Sequence, residues 1–286
     1  MPELRTYRDA VAIVTGGASG IGASLARELA RRGATVVIAD RQIDLAGEVV
    51  SGIVSGGGKA EAHTLDVRDF AATEALATGV FERQGRLDYL FNNAGTGVGG
   101  EVLDYGLDEW RYVIEVNLMG VLHGVQAVYR RMVGQGFVHI VNTASMAGLM
   151  PAPFTTSYCV AKHGIVGLTR ALRVEGAHYG VRVSAFCPGV IRTPLLVDAG
   201  RYGRTTRKLA ADTQTAMWER LRPMDPDRFA RKALDQVARN REIIILPGWW
   251  RFVWWLNRLS PGLGSRFGAL FFRDLKRRIE AAEPRA

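Results

Sequence analysis

Two cysteines, Cys159 and Cys187, are all that 286 residues contain, and they exclude a disulfide framework. No apolar run reaches the length of a membrane span, and the N-terminal MPELRTYRDA lacks the apolar core of a secretory signal. The five histidines, His63, His123, His139, His163 and His178, are scattered along the chain, and no metal is expected. Acidic residues are in deficit, 28 against 37 basic ones, for a net charge of +9. The excess is uneven: residues 247–286 hold eight Arg/Lys against three Asp/Glu, or +5. No recognition motif accompanies it, so no nucleic-acid partner is expected. These absences point to a reducing, cytoplasmic compartment. What remains, 48% apolar and 23% charged, is a globular composition with ample core.

Short β-branched runs alternate with longer amphipathic segments over the first 190 residues. Strands are expected at 10–16, 34–40, 61–66, 87–92, 137–145, 181–189 and 242–247. Helices are expected at 21–32, 42–55, 70–84, 107–133, from Tyr158 to about Tyr179, and 226–240. Continuous apolar strands linked by helices require a parallel sheet covered on both faces. The fold class is α/β, doubly wound, in three layers α/β/α. Residues 1–247 read as one domain, with an irregular, Thr/Arg-rich lid at about 190–226. Residues 248–286 read as an aromatic, basic, helical extension.

Between the first strand and helix lies Thr15-Gly-Gly-Ala-Ser-Gly-Ile-Gly22. Glycines let a backbone approach a pyrophosphate, and a helix N-terminus offers unpaired N–H groups to an anion. Asp40, at the end of the next strand, suits the two adenosine ribose hydroxyls and repels a 2′-phosphate. That favours NAD over NADP, although Arg41 beside it carries the charge to neutralise a phosphate. Tyr158 and Lys162 in YCVAK stand one helical turn apart on one face, Cβ atoms roughly 6 Å apart. An ammonium beside a phenol favours the tyrosinate. Bringing a tyrosine from about 10 to about 7–8 takes about 3–4 kcal/mol, which Lys162, a cofactor's positive ring and partial burial would share. Ser145, upstream in NTASMAG, adds a neutral donor for a substrate oxygen.

In order and spacing, TGGASGIG (15–22), Asp66-Val67, NNAG (92–95), Asn117, Ser145, YCVAK (158–162) and PGVIRT (188–193) resemble a short-chain dehydrogenase/reductase of the classical type, over about residues 10–247. The resemblance implies a Rossmann-type fold and hydride transfer between a secondary alcohol or ketone and a nicotinamide. The proton would be handled by Tyr158 within a set of Asn117, Ser145, Tyr158 and Lys162. Gly16, Ala18, Ser19, Gly20, Ile21 and Gly22 would cradle the pyrophosphate. Asp66 and Val67 would flank the adenine, with Asn93, Ala94 and Gly95 beneath the cofactor. Pro188, Gly189, Val190, Ile191 and Thr193 would meet the nicotinamide end. Lys162 would hold the ribose hydroxyls, and Asn117 would bend its helix and hold a water on a proton path. The family also implies homo-oligomers, dimers or tetramers, built through the long helices.

The extension departs from that pattern. GWWRFVWWLNRL (248–259) and RFGALFFRDLKRR (266–278) pair aromatic residues with arginines. One reading is peripheral membrane contact through 248–278, with rings at the headgroup level. The other is a tail packed over the lid or a partner subunit. Either favours an apolar, steroid- or lipid-like substrate over a sugar. A cofactor-binding scaffold on the same fold is the alternative function, and it is expected to lack part of the Asn–Ser–Tyr–Lys set.

Overall fold

In a computed structural model the described residues are 7–197, 202–206 and 218–282. Positions 198–201 and 207–217 of the expected lid, and 283–286 of the extension, lie outside them. The elements follow the alternation in the sequence: β1 Val11–Thr15, α1 Gly20–Arg31, β2 Thr35–Asp40, α2 Ile43–Ser55, β3 Lys59–Thr64, α3 Phe70–Gln84 and β4 Tyr89–Asn92. After a two-residue strand, β5 Val98–Gly99, come α4 Leu107–Ile114, α5 Gly120–Gln135, β6 Val138–Thr143, α6 Thr156–His178 and β7 Val181–Pro188. The C-terminal part carries α7 Pro194–Val197, β8 Arg204–Thr205, α8 Pro226–Ala238, β9 Ile243–Leu246, α9 Trp250–Leu259 and α10 Pro261–Ala282.

Seven strands form one parallel sheet in the order β3-β2-β1-β4-β6-β7-β9. Alternate residues of each strand feed opposite cores, as a period of two demands. Ala12, Val14, Val36 and Ile38 pack with Leu25 and Leu29 of α1 and Phe229 and Leu234 of α8. Val11, Ile13 and Val37 pack with Val80 of α3 and Val128 and Met132 of α5. Both α1 leucines are fully buried, each worth about 1.5–3 kcal/mol. The order reverses at β1, which pairs with β2 on one side and β4 on the other. A crevice at the carboxyl ends of the strands follows from that reversal.

Two expected elements are interrupted or shortened where a polar side chain bonds to backbone. The helix expected over 107–133 is interrupted by a π-helical turn, Glu115–Met119. Asn117 in that turn is fully buried, and its amide both accepts from Thr96 N (2.7 Å) and donates to Thr96 O (2.8 Å). A side chain committed to another segment's backbone favours an extra residue in the helical ladder. The strand expected to reach Ser145 stops at Thr143, because Ser145 caps a short 3-10 turn, Met146–Gly148, by accepting from Ala147 N (3.1 Å). In the extension the last helix begins at Pro261, since proline is well suited to a first helical position.

A buried polar ladder locks the sheet to α6. Asn92 Nδ2 donates to Asn142 Oδ1 (2.9 Å), and Asn142 Nδ2 donates to Thr169 Oγ1 (3.0 Å). Paired groups of this kind fix register where apolar contacts alone would let α6 slide, although the buried Asn92 Oδ1 finds no partner among the described residues. The extension docks by one face of each helix. Trp250 and Trp254 cover a cluster containing Met146, Ile165 and Cys187. Phe272 stacks on Phe154 with centroids 4.9 Å apart, and Lys276 pairs with Glu101 at 3.0 Å.

Candidate active site

The carboxyl ends of β1, β2, β4, β6 and β7 open onto one cleft of about 1330 Å³, including its solvent-open mouth. At one end the glycine turn is packed backbone against backbone. Gly16 has φ +65°, and a Cβ there would lie 2.7 Å from Ala94 Cα. A Cβ on Gly22 would lie 2.0 Å from the Gly16 carbonyl oxygen. Ser19 begins α1 without a side-chain cap, so no side chain from Ser19 competes with an anion for the first-turn N–H groups. Asp40 accepts from Ala18 N and Gln42 N, each at 3.0 Å, and its carboxylate lines the cleft beside Arg41. Asp66 also lines it, ion-paired to Arg68 at 2.6 Å; that hydrogen bond holds the Asp66 carboxyl below its usual range. Close-packed glycines, an uncapped helix start and a carboxylate at the second strand's end fit a dinucleotide.

At the other end, Tyr158 and Lys162 project from one face of α6, with Lys162 Nζ 5.2 Å from the Tyr158 ring centre. The ammonium is almost fully buried and donates to Thr143 O at 2.7 Å. Part of Tyr158 opens to the cleft, yet burial pushes its hydroxyl up to about 12 while a hydrogen bond with Ser145 pulls it down. Burial pushes Lys162 down to about 7. The expected lowering of Tyr158 by Lys162 is therefore not achieved by the protein's own groups. Desolvation disfavours the charged form of both partners, and an amine that is partly neutral at pH 7 exerts a weaker field on its neighbour.

Gly16, Ser19, Gly20, Ile21, Asp40, Arg41, Asp66, Val67, Asn93, Ala94, Gly95, Ser145, Tyr158, Lys162, Pro188, Gly189, Ile191 and Thr193 all line this cleft. Ala18, Gly22, Val190 and Asn117 do not, and each instead supports a neighbour. Ala18 N holds Asp40, Gly22 underlies Gly16, and Val190 O accepts from Met224 N (2.9 Å). Asn117 is tied to the cleft through Thr96, whose Oγ1 donates to Tyr202 O and accepts from Tyr112 OH, both at 2.9 Å. Sequence reasoning missed Thr96, Tyr112 and Tyr202, which carry no motif. It also missed Thr15, whose Oγ1 accepts from Asn93 N (3.0 Å) and Ala94 N (3.1 Å) and so ties β1 to the NNAG loop. A hydroxyl opening a glycine turn was the available signal. Among the described residues no group of His, Cys, Asp and Glu is arranged to hold a metal ion.

The family model for short chain dehydrogenases matches residues 10–201. The cyclohexanol dehydrogenase of Acinetobacter sp. (strain SE19) is 39% identical over 198 residues, covering 67% of this chain and 77% of that protein. A short chain dehydrogenase/reductase from Burkholderia phymatum, solved in complex with NAD, superposes with a TM-score of 0.80 at 31% identity, over 90% of this chain and 96% of that one. A metagenomic short-chain oxidoreductase solved with NADP gives 0.68 at 31% identity, over 84% and 96%. The chain belongs to the short-chain dehydrogenase/reductase family. It is an NAD(P)-binding oxidoreductase with the Rossmann fold of that family.

Proposed function

We propose that this protein interconverts a secondary alcohol and its ketone, with NAD preferred over NADP and Tyr158 as general acid and base. The observation that carries the reading is the convergence of Ser145, Tyr158 and Lys162 at one end of a cleft whose other end is the glycine turn and Asp40. The dinucleotide, when bound, supplies the ring that accepts or returns hydride and a positive charge near the phenol. Gly16, Ser19, Gly20 and Ile21 would hold its pyrophosphate, Asp40 its adenosine ribose, and Lys162 its second ribose. In the oxidative direction Tyr158 Oη takes the proton of the substrate hydroxyl, and Ser145 Oγ donates to the substrate oxygen as its charge develops.

The proton then leaves through Lys162. A Cβ on Gly95 would lie 3.2 Å from Asn117 Oδ1 and 3.6 Å from Lys162 Nζ. That glycine keeps the space between them free of side chain, which suits a water path. An apolar, steroid- or lipid-like substrate is supported by Leu195, Leu196 and Val116 in the wall and by the cyclohexanol dehydrogenase relative. Homo-oligomers, dimers or tetramers built through the long helices, are part of the same reading. In Tyr158→Phe, NADH binding followed by fluorescence should persist while turnover of cyclohexanol-like alcohols falls by about 10²–10⁴-fold. Near-normal turnover in that variant would remove the central claim.

A further inference from the structure

The helices α9 and α10 are docked by one face and apolar on another. In α9 the docked positions are Trp250, Trp254 and Asn257, the last donating to Leu149 O at 3.3 Å. Their spacing of four and three residues is one helical stripe. Phe252, Trp255, Leu256 and Leu259 form a second stripe at the same spacing, and it faces outward: Phe252 is 68% exposed and Leu259 78%. The same holds in α10. Phe272, Leu275 and Lys276 face the body of the protein, whereas Phe267, Leu270 and Phe271 are exposed. Single exposed apolar residues are ordinary on a soluble surface, but two adjoining stripes of this size mark an interaction site.

Charge selects the occupant. Arg251, Arg258, Arg266, Arg273 and Arg277 are exposed on the same two helices and form no ion pair among the described residues. A second copy docking by this face would set one arginine array against an identical one. A bilayer with anionic headgroups offers complementary charge to the arginines and an acyl boundary to the rings. No described helix is long and apolar enough to cross a membrane. A basic amphipathic helix of this kind lies in the interfacial plane. We propose that the outer face of α9 and α10 is a peripheral membrane-binding surface for anionic bilayers. The inner face holds this surface on the enzyme, and Trp250 brings it next to the cleft: a Cβ on Gly189 would lie 2.0 Å from Trp250 Nε1. The proposal concerns where the protein sits and is independent of which alcohol it oxidises.

The test is cosedimentation of the full chain with vesicles of phosphatidylcholine, with and without phosphatidylglycerol, at low and high salt. The unmodified chain should sediment with the anionic vesicles and be released by salt. Each of Arg251→Gln and Arg258→Gln should weaken partitioning by about fivefold. The triple variant Phe252→Ser, Leu259→Ser and Phe267→Ser should weaken it by roughly tenfold or more. None of these residues touches the cleft, so dehydrogenation of a small water-soluble alcohol should be unchanged in every variant. Failure of that assay in the unmodified chain would count against the oxidoreductase reading and leave the surface untouched. The surface proposal is overturned if the unmodified chain ignores anionic vesicles, or if the triple variant still binds them fully. It is equally overturned if the triple variant merely converts a vesicle-indifferent oligomer to a smaller one, since the face is then a contact between copies.

Discussion

Where the cleft runs past Gly16 and Gly22, its shape comes from backbone lying on backbone, with no room for even a methyl group. Past Tyr158 and Lys162, it comes from long side chains buried among polar partners. The first region is rigid, because backbone contact fixes it, with oriented N–H groups and the Asp40 and Asp66 carboxylates in its wall. The second region is tuned. Burial drives Tyr158 up to about 12 and Lys162 down to about 7, so both groups wait on whatever charge arrives beside them. Binding and proton handling thus respond differently to substitution.

At the rigid end, adding a single methyl is expected to have the largest effect on dinucleotide binding. Gly22→Ala forces its Cβ into the Gly16 carbonyl, at a cost of about 1–3 kcal/mol in stability. Dinucleotide affinity, measured by titration, should fall by more than tenfold because the turn must shift. Unchanged affinity would mean that the turn does not form the cradle. A change of charge without change of shape comes next. Asp40→Asn keeps an acceptor for one of the Ala18 and Gln42 amides, which bond to different oxygens of Asp40, and should move the NADP-to-NAD ratio of kcat/KM up by about tenfold or more. A ratio that stays put would transfer the choice of cofactor to Arg41 or elsewhere.

A third test addresses the tuned end through stability. The folded-state pKa of Lys162, about 7, lies below its ordinary 10.5. Between those values the unfolded chain holds a proton that the folded one has released, so folding stability contributed by this group rises with pH across that window. At and below pH 7 the full penalty of burying the ammonium is present. Urea midpoints measured from neutral to alkaline pH should show this rising slope in the unmodified chain and lose it in Lys162→Met. Equal slopes would place the ammonium in a better-solvated setting than its contacts indicate.

Much of the site was legible in the sequence, because its signals are local. A glycine turn between a β-branched strand and a helix, an aspartate closing the next strand, and a Tyr and Lys one turn apart are each defined within a few residues of chain. Topology then carries them to one edge of the sheet. The residues that escaped notice, Thr96, Tyr112 and Tyr202, meet by hydrogen bonds across long stretches of chain, and nothing local announces such pairings. The bend at Asn117 was expected from the family resemblance alone, and its cause, a bond to Thr96, is equally distant in the chain.

The extension divides along the same line. Its amphipathic character is a matter of composition and spacing, and both are visible in GWWRFVWWLNRL. Which stripe faces inward is decided by the partners available, Met146, Ile165 and Cys187 for one helix and Phe154 for the other. By itself, then, the sequence determined the parallel sheet, the glycine turn with an aspartate closing the next strand, and a Tyr and Lys on one helical face, all properties of short-range backbone geometry and periodicity. Only the tertiary structure decided the protonation tendencies of Tyr158 and Lys162, the partner that bends the helix at Asn117 and the outward face of the last two helices. Desolvation and long-range hydrogen bonding depend on what surrounds a group in space, and residues distant in the chain provide those surroundings.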